Sequence, residues 1–515
     1  MGTLSRLPLH PLLLAAYAVL FVYAANISEV LPRDLLLPLA LALGVAAVVL
    51  ALCALLFRDP RRGALLASAV VLAFAFFGHI SSQLDGEVIG ETVQLALWAA
   101  FIGAVGIYAW RARASLGGVT TALNVFGLVL VGIALFTIIP AETSRAVRAS
   151  EGEPVSQDVM AEATRLPERD IYFLVFDRYG SDWSLKQRFG IDNDIYPDLQ
   201  DEGFQVVPGA RANYRATDFS LASMLSMDTL DDLTESVGRD SDDRTPARAK
   251  LGDHEVGRFL RANGYRYYHL GAWYGPTRTN PIADEVRVWG KTTEFEQILS
   301  DASILPALGR LTGTATEDDD FRNRHREEAL FALRQVAKLA ETPGRKFVFA
   351  HILLPHPPYG FDAEGDIVLK ATEKEAVAAG REGDLFAEQL AFTNDHIREL
   401  VEVLLDRPPE EQPIIVISAD EGPFLCGNTD CVDRTPETYG MRFGTLRAYY
   451  LPDLDYEVPS DDTGVNIFRM LFREYFGADL PDLPNRSYDW PDNDHLYDFR
   501  DITDELPLPG GDEPT

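Results

Sequence analysis

Five long apolar stretches near the N-terminus constrain this chain more than any other feature of its sequence. They cover roughly residues 8–27, 35–57, 64–84, 91–110 and 118–140. Each is close to the ~20 residues that an α-helix needs to cross the ~30 Å hydrocarbon core of a bilayer. A cleaved signal peptide does not explain the first stretch, because four more follow it. The sequence therefore predicts a transmembrane region of five helices in residues 1–140.

The charges that flank these stretches predict their orientation. Arginines precede the first stretch and fill the loops after the second and the fourth: Arg6, then Arg58, Arg61 and Arg62, then Arg111 and Arg113. The other two loops are acidic or nearly neutral. Because cytoplasmic loops carry the excess of Lys and Arg, we expect a multi-pass plasma-membrane protein with a cytoplasmic N-terminus. An odd number of spans then places everything after residue 140 outside the cytoplasm.

The rest of the 515-residue chain is polar and strongly acidic. Residues 141–168 are interpreted as a linker or a short membrane-proximal helix, residues 169–505 as one extracytoplasmic domain, and residues 506–515 as a disordered tail. The chain has a net charge of −32, and residues 1–140 are nearly neutral, so almost all of this charge lies in the remainder. It argues against nucleic acid as a partner, because a phosphate backbone requires a basic face.

Buried strands that alternate with amphipathic helices predict the fold of this domain. Apolar runs rich in β-forming residues occupy residues 170–177, 346–354 and 413–420, with 264–270 as a fourth candidate. Helical periodicity appears at residues 255–263, 323–341 and 385–406. This alternation predicts an α/β domain with a mostly parallel sheet covered by helices on both faces. In such sheets the chemistry collects at the carboxyl ends of the strands.

Potential metal ligands and a potential nucleophile stand at or near these strand ends. Asp177 closes the first strand and Asp420 closes the last. Neighbouring carboxylates repel each other unless a cation or a proton lies between them, so the pair suggests a divalent metal site; the alternative for either residue alone is a helix or turn cap. Thr217 stands where a loop enters a predicted helix. It is either a capping residue or a nucleophile favoured by the helix N-terminus and a metal.

Histidine and cysteine residues supply further candidates. His351 lies on a predicted strand, and His356 follows in the next loop. His269 and Trp273 follow another strand and either line a pocket or pack in the core. Four histidines sit among charged residues and are expected at the surface: His254, His325, His396 and His495. The closely spaced Cys426 and Cys431 are candidates for a disulfide in an extracytoplasmic domain.

The order of these motifs resembles the sulfatase-like branch of the alkaline phosphatase superfamily. The order is a strand ending in Asp177, then Asn-Tyr-x-x-Thr217-x-x-Ser-Leu-Ala-Ser-Met, then His351-x4-His356-Pro-Pro-Tyr, then a strand ending in Asp420-x-Gly. More closely, the chain is similar to lipoteichoic acid synthases and phosphoethanolamine transferases, which also carry five N-terminal spans and an exported catalytic domain. The resemblance covers about residues 169–505.

The resemblance implies a metal-dependent phosphotransferase or phosphoester hydrolase. Asp177 and Asp420 match metal ligands, and Thr217 matches a nucleophile that also contacts the metal. His356 matches a residue that meets the substrate or the leaving group, and His351 is a weaker candidate for substrate binding. The expected partners are a phospholipid head-group donor and an envelope glycan acceptor.

One position departs from the family pattern. The usual closing motif is Asp-His-Gly, in which the His binds metal, whereas this chain has Asp420-Glu421-Gly422. With Glu421 as a ligand the donor set is all oxygen, and one Mg²⁺ or Mn²⁺ is then favoured over Zn²⁺. The alternative is that Glu421 turns away and the domain is catalytically degenerate, binding an envelope ligand or a partner. A true sulfatase is less favoured, because neither Cys426 nor Cys431 begins the Cys-x-Pro-x-Arg motif.

Overall fold

The computed structural model describes residues 7–27, 30, 32–83, 90–112, 115–151, 163–313, 321–424 and 434–507. The chain divides into two compact units. Unit 1 comprises Met1–Pro154 and Thr292–Asp320, and unit 2 comprises Val155–Lys291 and Phe321–Thr515. The predicted Cys426–Cys431 pair and residues 508–515 of the predicted tail lie outside the described residues.

Unit 1 contains the predicted apolar helices. They are α1 His10–Ala25, α2 Pro32–Phe57, α3 Pro60–Gln83, α4 Glu91–Arg111 and α5 Gly117–Glu151. By length and composition α2 to α5 can cross a membrane, and α1 is an apolar helix of 16 residues. The helices therefore agree with the five apolar stretches. Helix α5 continues to Glu151, so the first part of the predicted linker is helical.

The described chain continues with short strands and helices. The strands are β1 Ile171–Phe176, β2 Gln205–Val206, β3 Arg266–Leu270, β4 Glu285–Arg287, β5 Lys346–Ile352, β6 Ile414–Ser418, β7 Arg447–Tyr450, β8 Tyr488–Asp489 and β9 Arg500–Asp501. The helices before residue 300 are α6 Asp182–Ser184, α7 Ile195–Asp201, α8 Thr217–Ser226, α9 Asp231–Val237, α10 Thr245–Gly252, α11 Glu255–Ala262, α12 Gly275–Arg278 and α13 Glu294–Ala302. The later helices are α14 Leu305–Thr312, α15 Phe321–Ala340, α16 Lys370–Ala378, α17 Glu382–Leu405, α18 Pro436–Phe443 and α19 Ile467–Phe476.

One seven-stranded sheet organises unit 2, in the order β2-β7-β6-β1-β5-β3-β4. The strands from β6 to β4 are parallel. Strand β7 pairs antiparallel with β6, and β2 pairs antiparallel with β7 at the edge of the sheet. Strand β1 lies in the centre, and all six of its residues are buried, which explains why it is apolar throughout. The prediction of a mostly parallel sheet is confirmed.

Helices cover both faces of the sheet, because alternate residues of β1 point to two separate cores. Ile171, Phe173 and Val175 pack with residues of α8, α10, α11 and α19. Tyr172, Leu174 and Phe176 pack with residues of α7, α15 and α17. The carboxyl ends of β1, β5 and β6 meet at one edge of this layer, where Val175 is paired with both His351 and Ser418.

The short helices α13 and α14 belong to unit 1, although the sequence places them inside the predicted polar domain. The ring of Phe295 lies edge-on to Tyr23 of α1 at 5.9 Å between centroids, and the Ile304 N–H donates to the Phe74 carbonyl of α3 at 2.9 Å. A Cβ on Gly78 would overlap the carbonyl oxygen of Asp301, so glycine permits this close approach. Their partner helices lie more than 150 residues away in sequence, and no local pattern reveals such a contact.

Candidate active site

Three potential metal ligands converge at the carboxyl edge of the sheet. Asp177 directly follows β1, His351 is the penultimate residue of β5, and Asp420 comes two residues after β6. One ligand atom from each side chain lies within 4.8 Å of the other two. His351 Nε2 stands 3.9 Å from Asp177 Oδ2. All three side chains are buried.

Four polar atoms of this cluster have no hydrogen-bond partner among the described residues. These atoms are Asp177 Oδ1, both carboxylate oxygens of Asp420, and His351 Nε2. Buried polar groups are nearly always paired, and an unpaired buried charge is costly. Burial and the neighbouring Asp420 charge raise the pKa of Asp177 well above its usual range. A divalent cation bound by one atom of each side chain would offset the two carboxylate charges, so these residues fit a metal ion.

Thr277 fixes the orientation of His351. The Nδ1 atom of His351 lies 2.8 Å from Thr277 Oγ1, and the ring also packs edge-on against Tyr274. When Nε2 binds a metal, Nδ1 carries the proton and donates it to the hydroxyl of Thr277. This hydroxyl can in turn donate to the Tyr274 carbonyl oxygen, 3.4 Å away. The side chain of His351 is therefore held with Nε2 facing the two carboxylates.

A buried chain of hydrogen bonds supports Thr277 from behind. His254 Nδ1 accepts the Gly257 N–H at 3.0 Å, which leaves His254 Nε2 to donate to Tyr267 at 3.2 Å. The Tyr267 hydroxyl donates to His269 Nδ1 at 3.2 Å, and His269 Nε2 donates to the Thr277 carbonyl at 2.7 Å. Burial lowers the pKa of His254 to about 3 and that of His269 to about 4, so both rings are neutral, as this pattern requires. His269 is therefore packed in the core, which is one of the two alternatives that the sequence left open for it.

Glu421, which the sequence analysis assigns as a metal ligand, lies against two arginines. Its Oε1 is 3.4 Å from Arg178 Nε, and its Oε2 is 3.9 Å from Arg442 Nη2. Both guanidinium groups also lie over the Phe424 ring, at 3.7 and 4.1 Å from its centroid. Burial raises the pKa of Glu421 to about 7, and the two arginines oppose this rise. Glu421 is not among the residues whose ligand atoms come together, so the clustered donors are two carboxylates and an imidazole.

Thr217 is the first residue of α8, and its side chain is half-buried. Ala216 occupies the N-cap position without a side-chain hydrogen bond, so Thr217 is not the capping residue of this helix. Arg442 connects the helix start to the strand edge: its Nε donates to the Arg215 carbonyl at 3.2 Å, and its Nη2 faces Glu421. The N-terminus of α8 and the segment after β6 therefore share one arginine.

His356 and Trp273 lie side by side, as expected for residues of one pocket. Their ring centroids are 6.2 Å apart in an edge-on arrangement. Trp273 Nε1 donates to His325 Nδ1 at 3.0 Å. Removal from water and the charge of Arg178 lower the pKa of His356 well below its usual value, so this ring is neutral. The next residue, Tyr274, contacts His351, which links this pair to the metal ligands.

Gln389 of α17 holds the loop that carries His356, and sequence reasoning missed it. Its Nε2 donates to the carbonyls of Pro355 and His356 at 3.1 and 2.9 Å, and its Oε1 accepts the Gly360 N–H at 2.7 Å and the Phe361 N–H at 3.3 Å. The side chain is fully buried. The available signal was a glutamine within the apolar face of a long amphipathic helix.

Buried arginines surround this region of an otherwise acidic domain. Arg178 follows Asp177, Arg278 follows Thr277, and Arg322 and Arg326 flank His325 at the start of α15. Glu328 lies 3.6 Å from Arg278, and burial raises the pKa of this glutamate to about 7. An environment rich in guanidinium groups favours an anionic ligand.

The expectation that four histidines lie at the surface is wrong for two of them. His254 and His325 are buried, because each bonds an aromatic side chain, Tyr267 and Trp273 respectively. His396 and His495 are partly exposed. Charged neighbours in sequence did not reveal these tertiary contacts.

Comparison with known proteins finds distant structural similarity. No protein-family model and no curated protein matches the chain. The C-terminal periplasmic domain of EcEptC from Escherichia coli, in complex with Zn, is 10% identical at a TM-score of 0.42, covering 68% of this chain and 96% of that one. The lipooligosaccharide phosphoethanolamine transferase A (EptA) from Neisseria meningitidis is 13% identical at a TM-score of 0.40, covering 95% and 98%. A putative sulfatase from Bacteroides thetaiotaomicron is 11% identical at a TM-score of 0.41, covering 61% and 72%. At such low similarity the function has to be argued from the site itself.

Proposed function

We propose that this protein is a membrane-anchored, metal-dependent phosphotransferase or phosphoester hydrolase of the sulfatase-like type. The observation that carries the proposal is the cluster of Asp177, His351 and Asp420, in which four buried polar atoms lack hydrogen-bond partners in the part of the chain that the structure describes. A bound divalent ion supplies Lewis acidity toward a phosphoryl oxygen. The surrounding arginines suit the negative charge of a phosphoester.

The donor set favours Zn²⁺ over Mg²⁺. Imidazole nitrogen is a preferred ligand of Zn²⁺, and three protein ligands with an open position are typical of catalytic zinc. Mg²⁺ prefers oxygen ligands in near-ideal octahedral geometry. An all-oxygen donor set favours Mg²⁺ or Mn²⁺ over Zn²⁺. With His351 among the ligands, the expected metal is Zn²⁺ instead.

Thr217 is the proposed nucleophile. Its oxygen forms a bond to phosphorus while the bond to the leaving-group oxygen breaks, and water or an acceptor hydroxyl then displaces the threonine oxygen. N–H groups in the first turn of α8 can hold the phosphoryl oxygens during both steps. His356 is neutral, so it can accept a proton from an attacking hydroxyl and return it to the leaving oxygen. Trp273 packs against His356 and keeps its ring in place.

A phospholipid head-group donor and an envelope glycan acceptor remain the proposed partners, with the domain outside the cytoplasm. Support for the location outside the cytoplasm comes from the end of the helix bundle on which α13 and α14 pack. They contact the C-terminal parts of α1 and α3, at Tyr23, Phe74 and Gly78. This end is opposite to the arginine-rich loops that join α2 to α3 and α4 to α5. A segment from the polar part of the chain thus meets the end that the charge rule assigns to the exterior.

The test is metal analysis of the full chain in detergent. After incubation with Zn²⁺, Mn²⁺ or Mg²⁺ and desalting, we expect one ion per chain in the wild type. Asp177→Asn and Asp420→Asn should each lose it, and Glu421→Gln is the matched control because this buried carboxylate lies outside the cluster. Absence of retained metal under every condition in folded protein would favour the catalytically degenerate binding module instead.

The nucleophile is tested separately. Thr217→Ala should keep the metal and lose turnover of a chromogenic phosphodiester or a fluorescent phospholipid. Intact-mass measurement of a quenched reaction should show a phosphoryl-linked adduct in the wild type and none in the variant. Unchanged turnover by Thr217→Ala would exclude covalent catalysis by this residue.

A further inference from the structure

Unit 1 contains an apolar groove of about 360 Å³ between α1, α2 and α3, closed at one end by α13 and the start of α14. We call it the α1–α3 groove. Small side chains keep it open, among them Ala15, Ala18, Ala42, Ala46 and Ala75. Ala15 and Ala46 pack with Val71 in a buried cluster at its deep end. Nearer the inserted helices, exposed Leu41 and Val45 flank its opening.

We propose that the α1–α3 groove binds one acyl chain of a membrane phospholipid. Two of its three walls, α2 and α3, are helices of membrane-spanning length, so the medium at its opening is hydrocarbon. Its side walls are alkyl side chains. An acyl chain that leaves the bilayer for such a groove exchanges one apolar contact for another, and it fills a space that helix packing alone leaves empty.

The length of the groove matches one leaflet. Its lining on α2 runs from Pro38 to Val49, which at 1.5 Å per residue is about 17 Å. One leaflet contributes about 15 Å of the bilayer hydrocarbon. The groove therefore extends from one surface of the bundle to about its middle, as one acyl chain does.

Polarity along the groove also matches a lipid. The end formed by α13 carries Glu296, Ser300 and Ser303, whereas the deep end is purely apolar. Glu296 already accepts the Thr293 N–H at 2.8 Å, and Ser303 Oγ donates to the Ser300 carbonyl at 2.7 Å. These groups tolerate the hydrated, polar boundary where a lipid head group begins, and the acyl chain lies below them in the groove.

A single flexible chain is narrow enough to enter this groove. An α-helix of another protein is ~10–12 Å wide with its side chains, so it can present only one face to the opening. This inference does not depend on the proposed reaction, since it uses only residues of unit 1.

Two neighbouring alanines of α2 provide a matched test. Ala46 lines the groove and is 2% exposed, whereas Ala47 is exposed and does not line it. The full chain is reconstituted in nanodiscs of palmitoyl-oleoyl phosphatidylethanolamine and phosphatidylglycerol, then released into detergent for native mass spectrometry. We expect one retained phospholipid in the wild type and in Ala47→Phe, and at least a tenfold lower occupancy in Ala46→Phe. Equal retention by both variants would overturn the proposal.

A measurement on the wild type keeps the test decisive if Ala46→Phe does not fold. A phospholipid with a diazirine in the middle of its acyl chain is photolysed in the same nanodiscs. Labels should concentrate on Val49 and Val71 over the lipid-exposed Leu52 and Leu55 of α2. Uniform labelling of these positions would mean ordinary annular lipid and would refute the site. The metal content of the same samples reports on the active site independently.

Discussion

Thr277 contacts no metal in the proposed centre, yet its replacement by valine should weaken metal binding strongly. Thr277→Val keeps the branched shape of the side chain and removes the hydroxyl that faces His351 Nδ1 at 2.8 Å. The backbone carbonyl that accepts from His269 remains in place. The substitution therefore removes the interaction that holds the proton of His351 on Nδ1 and leaves Nε2 for the metal, together with the longer 3.4 Å contact from the hydroxyl to the Tyr274 carbonyl.

The expected magnitude follows from the burial of this pair. A buried N–H that loses its partner costs ~1–3 kcal/mol, and His351 is 1% exposed, so water does not replace the hydroxyl. Loss of an outer partner of a metal-bound histidine commonly lowers affinity ~10–100-fold, which corresponds to about 1.4–2.8 kcal/mol. The two ranges agree, so we expect the dissociation constant to rise between about tenfold and a hundredfold.

The assay is competition for Zn²⁺ or Mn²⁺ with a chromophoric chelator, using the full chain in detergent. Thr277→Ser keeps the hydroxyl on Cβ and should retain most of the metal affinity. This control separates the orientation of His351 from a nonspecific structural effect of the substitution. Wild-type metal affinity in folded Thr277→Val would refute the role of this hydrogen bond and weaken the assignment of His351 as a ligand.

Three further predictions concern residues around the site. Glu421→Gln should retain metal and Asp420→Asn should lose it, by elemental analysis; loss in both would return Glu421 to the ligand set. Gln389→Leu removes every hydrogen bond from this side chain to the His356 loop, so hydrogen exchange at residues 355–361 should speed up by at least tenfold. Unchanged exchange would contradict the role of Gln389 in holding this loop. Glu328 has a folded-state pKa of about 7, above its usual value of 4.5, so its contribution to stability is present below pH 4.5 and is lost as the pH rises through 7. The Tm of Glu328→Gln relative to wild type should therefore increase between pH 5 and pH 8, and a constant difference would exclude this linkage.

The sequence predicts those elements whose signal is local. Strand β1 is buried on both faces, so its six residues are apolar and the strand is recognisable without tertiary information. The short strands β2, β4 and β7 have two to four residues and no apolar run, so they were not predicted. Helices α13 and α14 could be recognised as helical at best. Their packing on α1 and α3 is a long-range contact that periodicity does not encode.

The candidate site likewise contains residues that the sequence predicts and residues that it does not. Asp177 and Asp420 could be predicted because strand ends in a parallel sheet gather at one edge. His351 is predicted from the sequence to bind substrate, and its place beside Val175 of β1 is visible only in the register of the sheet. Glu421 was assigned to the metal from its place in a motif, and the positions of Arg178 and Arg442 around it were not visible. Thr277 carries no motif at all, since its role comes from the side chain that it faces.

Charge balance gives a physical reason why the proposed ligand set contains His351 and not Glu421. Strand β1 lies between β5 and β6, so groups from the ends of both neighbours can flank Asp177. Two aspartates and a neutral imidazole balance a divalent ion, whereas a third carboxylate would leave a net negative charge in a buried site, which is unfavourable. Pairing with Arg178 and Arg442 offsets the charge of Glu421 away from the ligand cluster. A glutamate in the usual histidine position is therefore compatible with an intact metal centre, provided that β5 supplies the nitrogen ligand.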